Sequence, residues 1–449
     1  MERAAERSSV REGEAMADPR RLLRDSFDAA VAAADPARVL IGTLPAADEI
    51  ARVRRTRVLG AGKAAAAMAR AVETHWPADA ALDGLVVTRH GHGLPCRRVE
   101  VVEAGHPLPD EAGQRAAARM LALAAEAASD ELLIVLLSGG GSSLLALPVD
   151  GVPLDDLVAV TRALLASGAP IEEINIVRKH LSRILGGRLA QTARAPILLR
   201  MISDVAGDDP SSIASGPCSP DASNHADALA VLRRWRVDAP ASVQAHLKRG
   251  VRGEVAETPK PGDPVFERVD ARVVASARAS LAAAAAVFER AGVRPVMLGD
   301  TVTGEARDVA QVMAALAREI SRHGVPFAPP VALLSGGECT VTIRGGGTGG
   351  PCVEFLLALG LALQWRDVPR TWAIAADTDG IDGIGGHAGA VLTPDWAARA
   401  SALGLDARAC LDHNDAGRFF AALDDLIVTG PTRTNVNDYR AVLVTSDRA

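Results

Sequence analysis

Apolar runs of strand length alternate with longer stretches of helical period along most of the 449 residues. That alternation is the mark of an α/β protein with largely parallel sheets and crossover helices. In the first half a helix is predicted over Arg21–Ala34, then a strand at Arg57-Val58-Leu59, a glycine turn, and an alanine-rich helix over Ala64–Glu73. Further strands are expected at Gly84–Thr88, Val99–Glu103, Glu131–Leu137 and Ile197–Ile202, with helices over Asp110–Ala128 and Ile171–Leu185, completing one sheet. The stretch Lys248–Pro264 keeps no period and is rich in Pro, Gly and charge, so it reads as a linker. Beyond it, strands are predicted at Val273–Ala275, Val296–Leu298, Val331–Leu334, Cys339–Ile343, Trp372–Ala376 and Ala441–Val444, with helices over Ala277–Ala291 and Glu305–His323. The expected architecture is a disordered extension (1–18), a Rossmann-like α/β domain (19–247), the linker (248–264) and a second α/β domain (265–449), with a cleft between the two domains.

Composition narrows the function classes. A net charge of −6 and a pI near 6.0 lack the basic footprint of a nucleic-acid or anionic-membrane binder, so partners are expected to be small molecules held locally. The most hydrophobic stretch, Leu132–Leu137, is halted by glycines well short of the ~18 apolar residues of a membrane span. Five cysteines form no CxxC pair and no even framework, which argues for a reducing, cytoplasmic compartment and against structural zinc. A homodimer is compatible with the sequence but not specified by it. Only four lysines stand against 45 arginines. Two of them, Lys63 and Lys179, lie inside distinctive motifs, while Lys248 and Lys260 read as solvated loop residues.

Those motifs follow predicted strands, where α/β sheets bind ligands. Gly60-Ala61-Gly62-Lys63 opens a helix whose first N–H groups could face a phosphate or carboxylate, with Lys63 beside them. It is not a P-loop, since Arg57 and Ala64 stand where that motif needs Gly and Ser or Thr. Its GxGxxA spacing matches a dinucleotide turn, but Thr88, Arg89 and His90 replace the acidic residue that would hold a ribose. Ser138-Gly139-Gly140-Gly141-Ser142-Ser143 offers flexible backbone and hydroxyls for phosphates. Asp204 and Asp208 could hold a metal or orient an attacking hydroxyl, whereas Asp209 before Pro210 suits a turn. Arg178 and Lys179, on a helix, could face a cleft. Three aspartates at 377, 379 and 382 suit magnesium or a structural turn better than calcium, and Arg433, Asn435 and Asn437 could meet substrate hydroxyls and a carboxylate. His106 and His387 are isolated and read as structural.

Taken together, GAGKA (60–64), GHPLPD (105–110), LSGGGSS (137–143), ISDVAGDDPSSIASGP (202–217), SGGE (335–338), DTDGIDG (377–383) and TNVNDY (434–439) resemble the glycerate 2-kinase family, whose C-terminal part is the MOFRL domain (about 330–445 here) and whose members were often labelled hydroxypyruvate reductases. The resemblance implies phosphoryl transfer from ATP, with Mg²⁺, to the 2-hydroxyl of D-glycerate. It also implies a catalytic role for Lys63. Together with the motifs, the expected site then has Asp204 beside Lys63 as a further catalytic residue, Mg²⁺ near Asp204 or Asp208, nucleotide binding by Gly60, Gly62 and residues 138–143, and substrate contacts from Arg178, Lys179, Glu354, Asp379, Arg433, Asn435 and Asn437. One departure stands out: the family's GGRNQE arginine is replaced by Pro351. Arg178 or Arg433 would then have to supply that charge. The rival readings are a nicotinamide-dependent hydroxypyruvate reductase and a metabolite-binding protein without catalysis.

Overall fold

The computed structural model describes residues 18–363 and 370–446. The N-terminal extension expected at 1–18 falls, apart from Asp18, outside the described residues. Six strands, β1 (Thr56–Ala61), β2 (Leu82–Arg89), β3 (Val99–Ala104), β4 (Leu132–Leu137), β5 (Ile197–Ile202) and β6 (Val269–Ala275), form the first sheet in the order β3-β2-β1-β4-β5-β6. Every pairing is parallel. This is the doubly wound order, and its direction of winding reverses between β1 and β4. Both strands are wholly buried, as expected of the middle of a sheet covered on both faces.

The second sheet contains β7 (Arg294–Gly299), β9 (Val331–Ser335), β11 (Thr371–Asp377), β12 (Gly389–Leu392), β13 (Leu426–Ile427) and β14 (Asp438–Val444), while β8 (Gly304–Glu305) and β10 (Cys339–Thr340) pair apart from it. Here the parallel expectation fails. Only β7 and β9 run parallel; the other four pairings are antiparallel. The reason is local: β11 and β12 are joined by the Gly- and Asp-rich loop 378–388 with no crossover helix, so the chain must return antiparallel. The strand expected over Cys339–Ile343 is cut to two residues.

Two segments cross the domain division expected from composition. Val273–Ala275, assigned to the second unit, extends β6 and pairs with β5 of the first sheet. The helix Pro19–Ala32, started by Asp18 and Pro19, buries Leu22, Leu23, Phe27 and Ala30 against Leu281, Phe288, Ile374 and Tyr439 of the second unit. The described chain therefore lays its first helix on one unit, builds the other and returns. The helix expected to reach Leu185 stops at His180, where the Ser182 hydroxyl accepts the N–H groups of Ile184 and Leu185 at 3.2 Å and replaces the helical bonds. The five cysteines are all free thiols. Among the described residues, no helix is long and apolar enough to cross a membrane.

Candidate active site

The carboxyl ends of β1, β4 and β5 meet the loops after β11 and before β14, and the junction is built around Lys63. Its ammonium lies 2.5 Å from Asp379 Oδ2. Burial alone would lower its pKa, but Asp379, Asp377 and Asp204 outweigh that and hold the proton more tightly than in a free lysine. The aspartates respond differently. Asp379 is held ionised by Lys63 against the effect of burial, whereas burial and the neighbouring Asp379 push Asp377 well up. Asp204 is also raised by burial, with Lys63 opposing. Its carboxylate accepts the Asn435 amide at 3.1 Å, and its backbone oxygen accepts the Asn437 amide at 2.5 Å. Glu338 has an exposed side chain, yet the enclosing groups and the charges of Asp438 and Asp204 push its pKa up to about 7.

The loop carrying Asp379 holds its own shape: Asp379 N–H donates to Asp377 Oδ1 and Ile381 N–H to Asp379 Oδ1, both at 2.8 Å. Thr378 fastens it to the next segment, donating to Asn437 O and accepting from Val436 N–H.

The glycine turn works otherwise than expected. The N–H groups of Gly62, Lys63, Ala64 and Ala65 already bond to Val87 O, Gly139 O, Ser138 Oγ and Gly62 O, so they lace β1 to β2 and β4, and only the next two amides of the helix, Ala66 and Ala67, have no partner among the described residues. Gly62 is glycine for a steric reason: at φ +133° a Cβ would lie 2.2 Å from Ser138 Oγ. Gly60 likewise packs on the carbonyl of Leu136. In the 138–143 loop, by contrast, the N–H groups of Gly139 and Gly140 have no partner among the described residues. Gly139 abuts Asp204 and Asn435, and Gly140 abuts His106 and the Lys63 stem. Ser138 Oγ accepts Ala64 N–H from the first glycine turn, and Ser143 Oγ donates to Gly140 O within its own turn.

Ser142 Oγ lies 2.8 Å from Ser215 Oγ, which donates to Asn175 Oδ1 at 3.0 Å; Arg178 Nη1 reaches the same oxygen at 3.3 Å. Arg178 has no carboxylate partner among the described residues, and burial lowers its pKa to about 10. Ala214, Ser215 and Gly216 are consecutive left-handed residues, a strained conformation for the first two and one that holds the Ser215 hydroxyl in this chain. His106, read from sequence as structural, belongs to the site: burial, Lys63 and Arg89 depress its pKa to about 3, and Arg178 adds to the effect.

Two expected residues lie in other contacts. Lys179 turns to Asp221 at 3.5 Å. Glu354 is held by Arg307 at 2.6 Å and by the Asn414 amide at 2.9 Å. Asp209 caps its own turn through Ser211 and Ser212, as its position before Pro210 suggested. Asp208 sits at φ +56° with a side chain that has no partner among the described residues, and Arg433, at φ +62°, has a buried Nε without an acceptor. Pro351 occupies the first position of the helix Pro351–Leu363, where its missing N–H costs nothing, and Asp382 accepts the next two N–H groups at 3.1 and 2.9 Å. A cavity of about 820 Å³ opens beside Ala239, Gln244, Lys248 and Arg249, and none of its lining residues belongs to the Lys63 site. In this structure the Lys63–Asp379 and Asn435–Asp204 contacts hold the junction closed.

Comparison with known proteins places this geometry in a family. Residues 22–248 match the domain of unknown function DUF4147, and residues 331–438 match the MOFRL family. An Agrobacterium vitis protein provisionally named hydroxypyruvate reductase is 48% identical over 429 residues, covering 95% of this chain and 94% of its own length. A Pyrococcus horikoshii protein named glycerate 2-kinase is 38% identical over 430 residues, covering 93% of this chain and 96% of its own length. The crystal structure of a Thermotoga maritima glycerate kinase, 34% identical, superposes with a TM-score of 0.82 over 95% of this chain and 99% of that one.

Proposed function

Because the chain belongs to the family that joins a DUF4147 domain to a MOFRL domain and includes the glycerate kinases, it is a kinase, and we propose that it transfers the γ-phosphoryl group of ATP to the 2-hydroxyl of D-glycerate, giving 2-phosphoglycerate and ADP. The observation that carries this reading is the division of charge in the site. Around Lys63 carboxylates are in surplus, with Asp204, Asp377 and Asp379 facing one ammonium. Beside them, Arg178 and the N–H groups of Gly139 and Gly140 offer donors with no counter-charge. A metal–nucleotide complex carries both signs and would satisfy both ends.

In the reaction, the bond between the γ-phosphorus and the oxygen bridging to the β-phosphate breaks, a bond from phosphorus to the glycerate 2-oxygen forms, and the hydroxyl proton leaves to a site carboxylate or water. Catalysis of such a step is mostly positioning and charge stabilisation. Lys63, parted from Asp379 by the ligand, would donate to the oxygens of the transferring group. Arg178 would supply the cation that the family's arginine, here Pro351, does not. Gly139 and Gly140 would hold phosphate oxygens through their N–H groups. Asn435, Asn437 and Asp379, already converging on Asp204 and Lys63, would contact the small hydroxy acid.

The residues fit Mg²⁺, which needs only one or two carboxylates when phosphate oxygens complete its shell. Asp204 would hold it, with the unpartnered Asp208 from the same loop. The ion would neutralise phosphate charge. The reductase reading rested on the glycine turn, where the N–H groups of residues 62–65 are taken by neighbouring backbone and side chain and where Thr88, Arg89 and His90 offer no acidic partner for a ribose. Incubation with ATP, Mg²⁺ and a panel of small hydroxy acids should release ADP fastest with D-glycerate, and NMR of the product should place the phosphate on carbon 2. Oxidation of reduced nicotinamide by hydroxypyruvate, without ADP release, would overturn the assignment.

A further inference from the structure

Two residues past Arg178, His180 is fully buried and faces His225, at the start of the helix His225–Arg234, and Glu257, in the connection expected as a linker. The two rings stand edge to face with centroids 4.7 Å apart. Glu257 reaches both: Oε2 lies 3.2 Å from His180 Nε2 and Oε1 lies 2.7 Å from His225 Nδ1. One nitrogen of each ring and one carboxylate oxygen lie within 4.8 Å of one another, and no other such triple of His, Cys, Asp or Glu is found among the described residues.

Hydrogen bonding decides what the group can accept. His180 Nδ1 lies 2.8 Å from the carbonyl oxygen of Ile176, which only accepts, so Nδ1 carries a proton and donates. A neutral His180 then turns the lone pair of Nε2 toward a carboxylate oxygen, and the two repel unless a cation lies between them. Tying one ring nitrogen to a backbone carbonyl so that the other is free to ligate is how proteins orient metal-binding imidazoles. The His225 ring also has unused capacity, because its Nε2 is buried without a partner. Asp221 Oδ2 lies 4.0 Å from His180 Nε2, its charge shared with Lys179, 3.5 Å from Oδ1. Two imidazoles and a carboxylate suit Zn²⁺ and similar ions, whereas Mg²⁺ prefers oxygen throughout.

We propose that His180, His225 and Glu257 form a binding site for a divalent transition-metal ion, which would pin the segment carrying Glu257 to the helix that presents Asn175 and Arg178. A rival cation stands next to it. Lys260 Nζ is 3.2 Å from Glu257 Oε2 and also donates to Ser223 O and Thr258 Oγ1. Its side chain is 38% exposed, so the ammonium can withdraw to water when a metal takes the carboxylate. Metal and lysine therefore compete for Glu257, and removing the lysine should tighten the metal.

The test titrates Co²⁺ into the untagged, chelator-stripped full chain in excess Mg²⁺, reading the visible absorption of the bound ion and the thermal midpoint. One equivalent should bind and raise the midpoint. Glu257→Gln should weaken binding at least tenfold, and Lys260→Met should strengthen it, a gain that misfolding cannot imitate. A wild type that takes up no Co²⁺, a Glu257→Gln variant that binds as the wild type does, or a Lys260→Met variant that binds no tighter would each overturn the site.

Discussion

Lys63 and Lys179 are both largely buried and both face an aspartate, yet their surroundings differ in sign and in reach. Lys63 bridges the two halves of the molecule and faces three carboxylates, Asp379, Asp377 and Asp204. Lys179 stays within the first half, where Asp221 is its partner and Lys260 balances the nearby Glu257. A balanced pair inside one unit is a structural arrangement that nothing need open. An unbalanced group across two units lacks positive charge and can be parted by a ligand that brings it. The contrast sharpens at Arg178, one residue before Lys179, which lacks an anion just where Lys63 has too many.

The largest consequence falls on turnover. Lys63→Ala should lower kcat by roughly 10²–10³-fold, the scale of losing one preorganised donor to transition-state charge, and leave the circular dichroism spectrum native; an ADP-release assay near wild-type rate would break the comparison. Arg178→Gln comes next. A hydrogen bond to a charged group contributes about 1.5–3 kcal/mol, so kcat/KM for ATP should fall by about ten- to a hundredfold, with Arg178→Lys recovering part. Lys179→Met should do the reverse: lower stability by about 3 kcal/mol, because Asp221 stays buried with less compensation, while kcat at 25 °C holds. Urea denaturation with steady-state rates on the same preparation separates the two kinds of lysine.

Much of this contrast was legible in the chain before any coordinates. Glycine- and aspartate-rich turns after apolar runs pointed to Lys63, Gly139 and Asp204, because a parallel sheet gathers the ends of its strands on one edge, while Asp379 reaches the same junction from the loop after β11, a strand with antiparallel neighbours. The choice between Arg178 and Lys179 was not legible, since neighbours on a helix point about 100° apart and only packing says which faces the cleft. Glu354 was misread for a similar reason: its partners, Arg307 and Asn414, come from remote segments. His106 was passed over as an isolated histidine, although it follows β3 and so ends on the same edge as the other loops. The return of β6 to the first sheet was hidden because a Pro- and Gly-rich stretch marks a change of course, not which sheet the next strand will join.

The smallest effect sharpens the idea of surplus negative charge. If carboxylates outnumber cations around Lys63, one of them should keep its proton toward neutral pH, and Glu338, pushed to about 7 from an ordinary 4.5, is placed to do so. In that interval the folded protein holds a proton that the unfolded chain has released. Stability therefore falls as the pH rises from about 4.5 to 7, the sense required when the native state binds more protons. The Glu338 side chain is exposed, so solvent screening should keep the effect below about 1 kcal/mol. Thermal midpoints of the nucleotide-free protein should show a decline, and Glu338→Gln should make it shallower, leaving the part that Asp377 and Asp204, also raised, contribute. An equal decline in the variant would mean that Glu338 holds no share of the surplus, whereas no decline in the wild type would mean that the carboxylates near Lys63 are balanced after all.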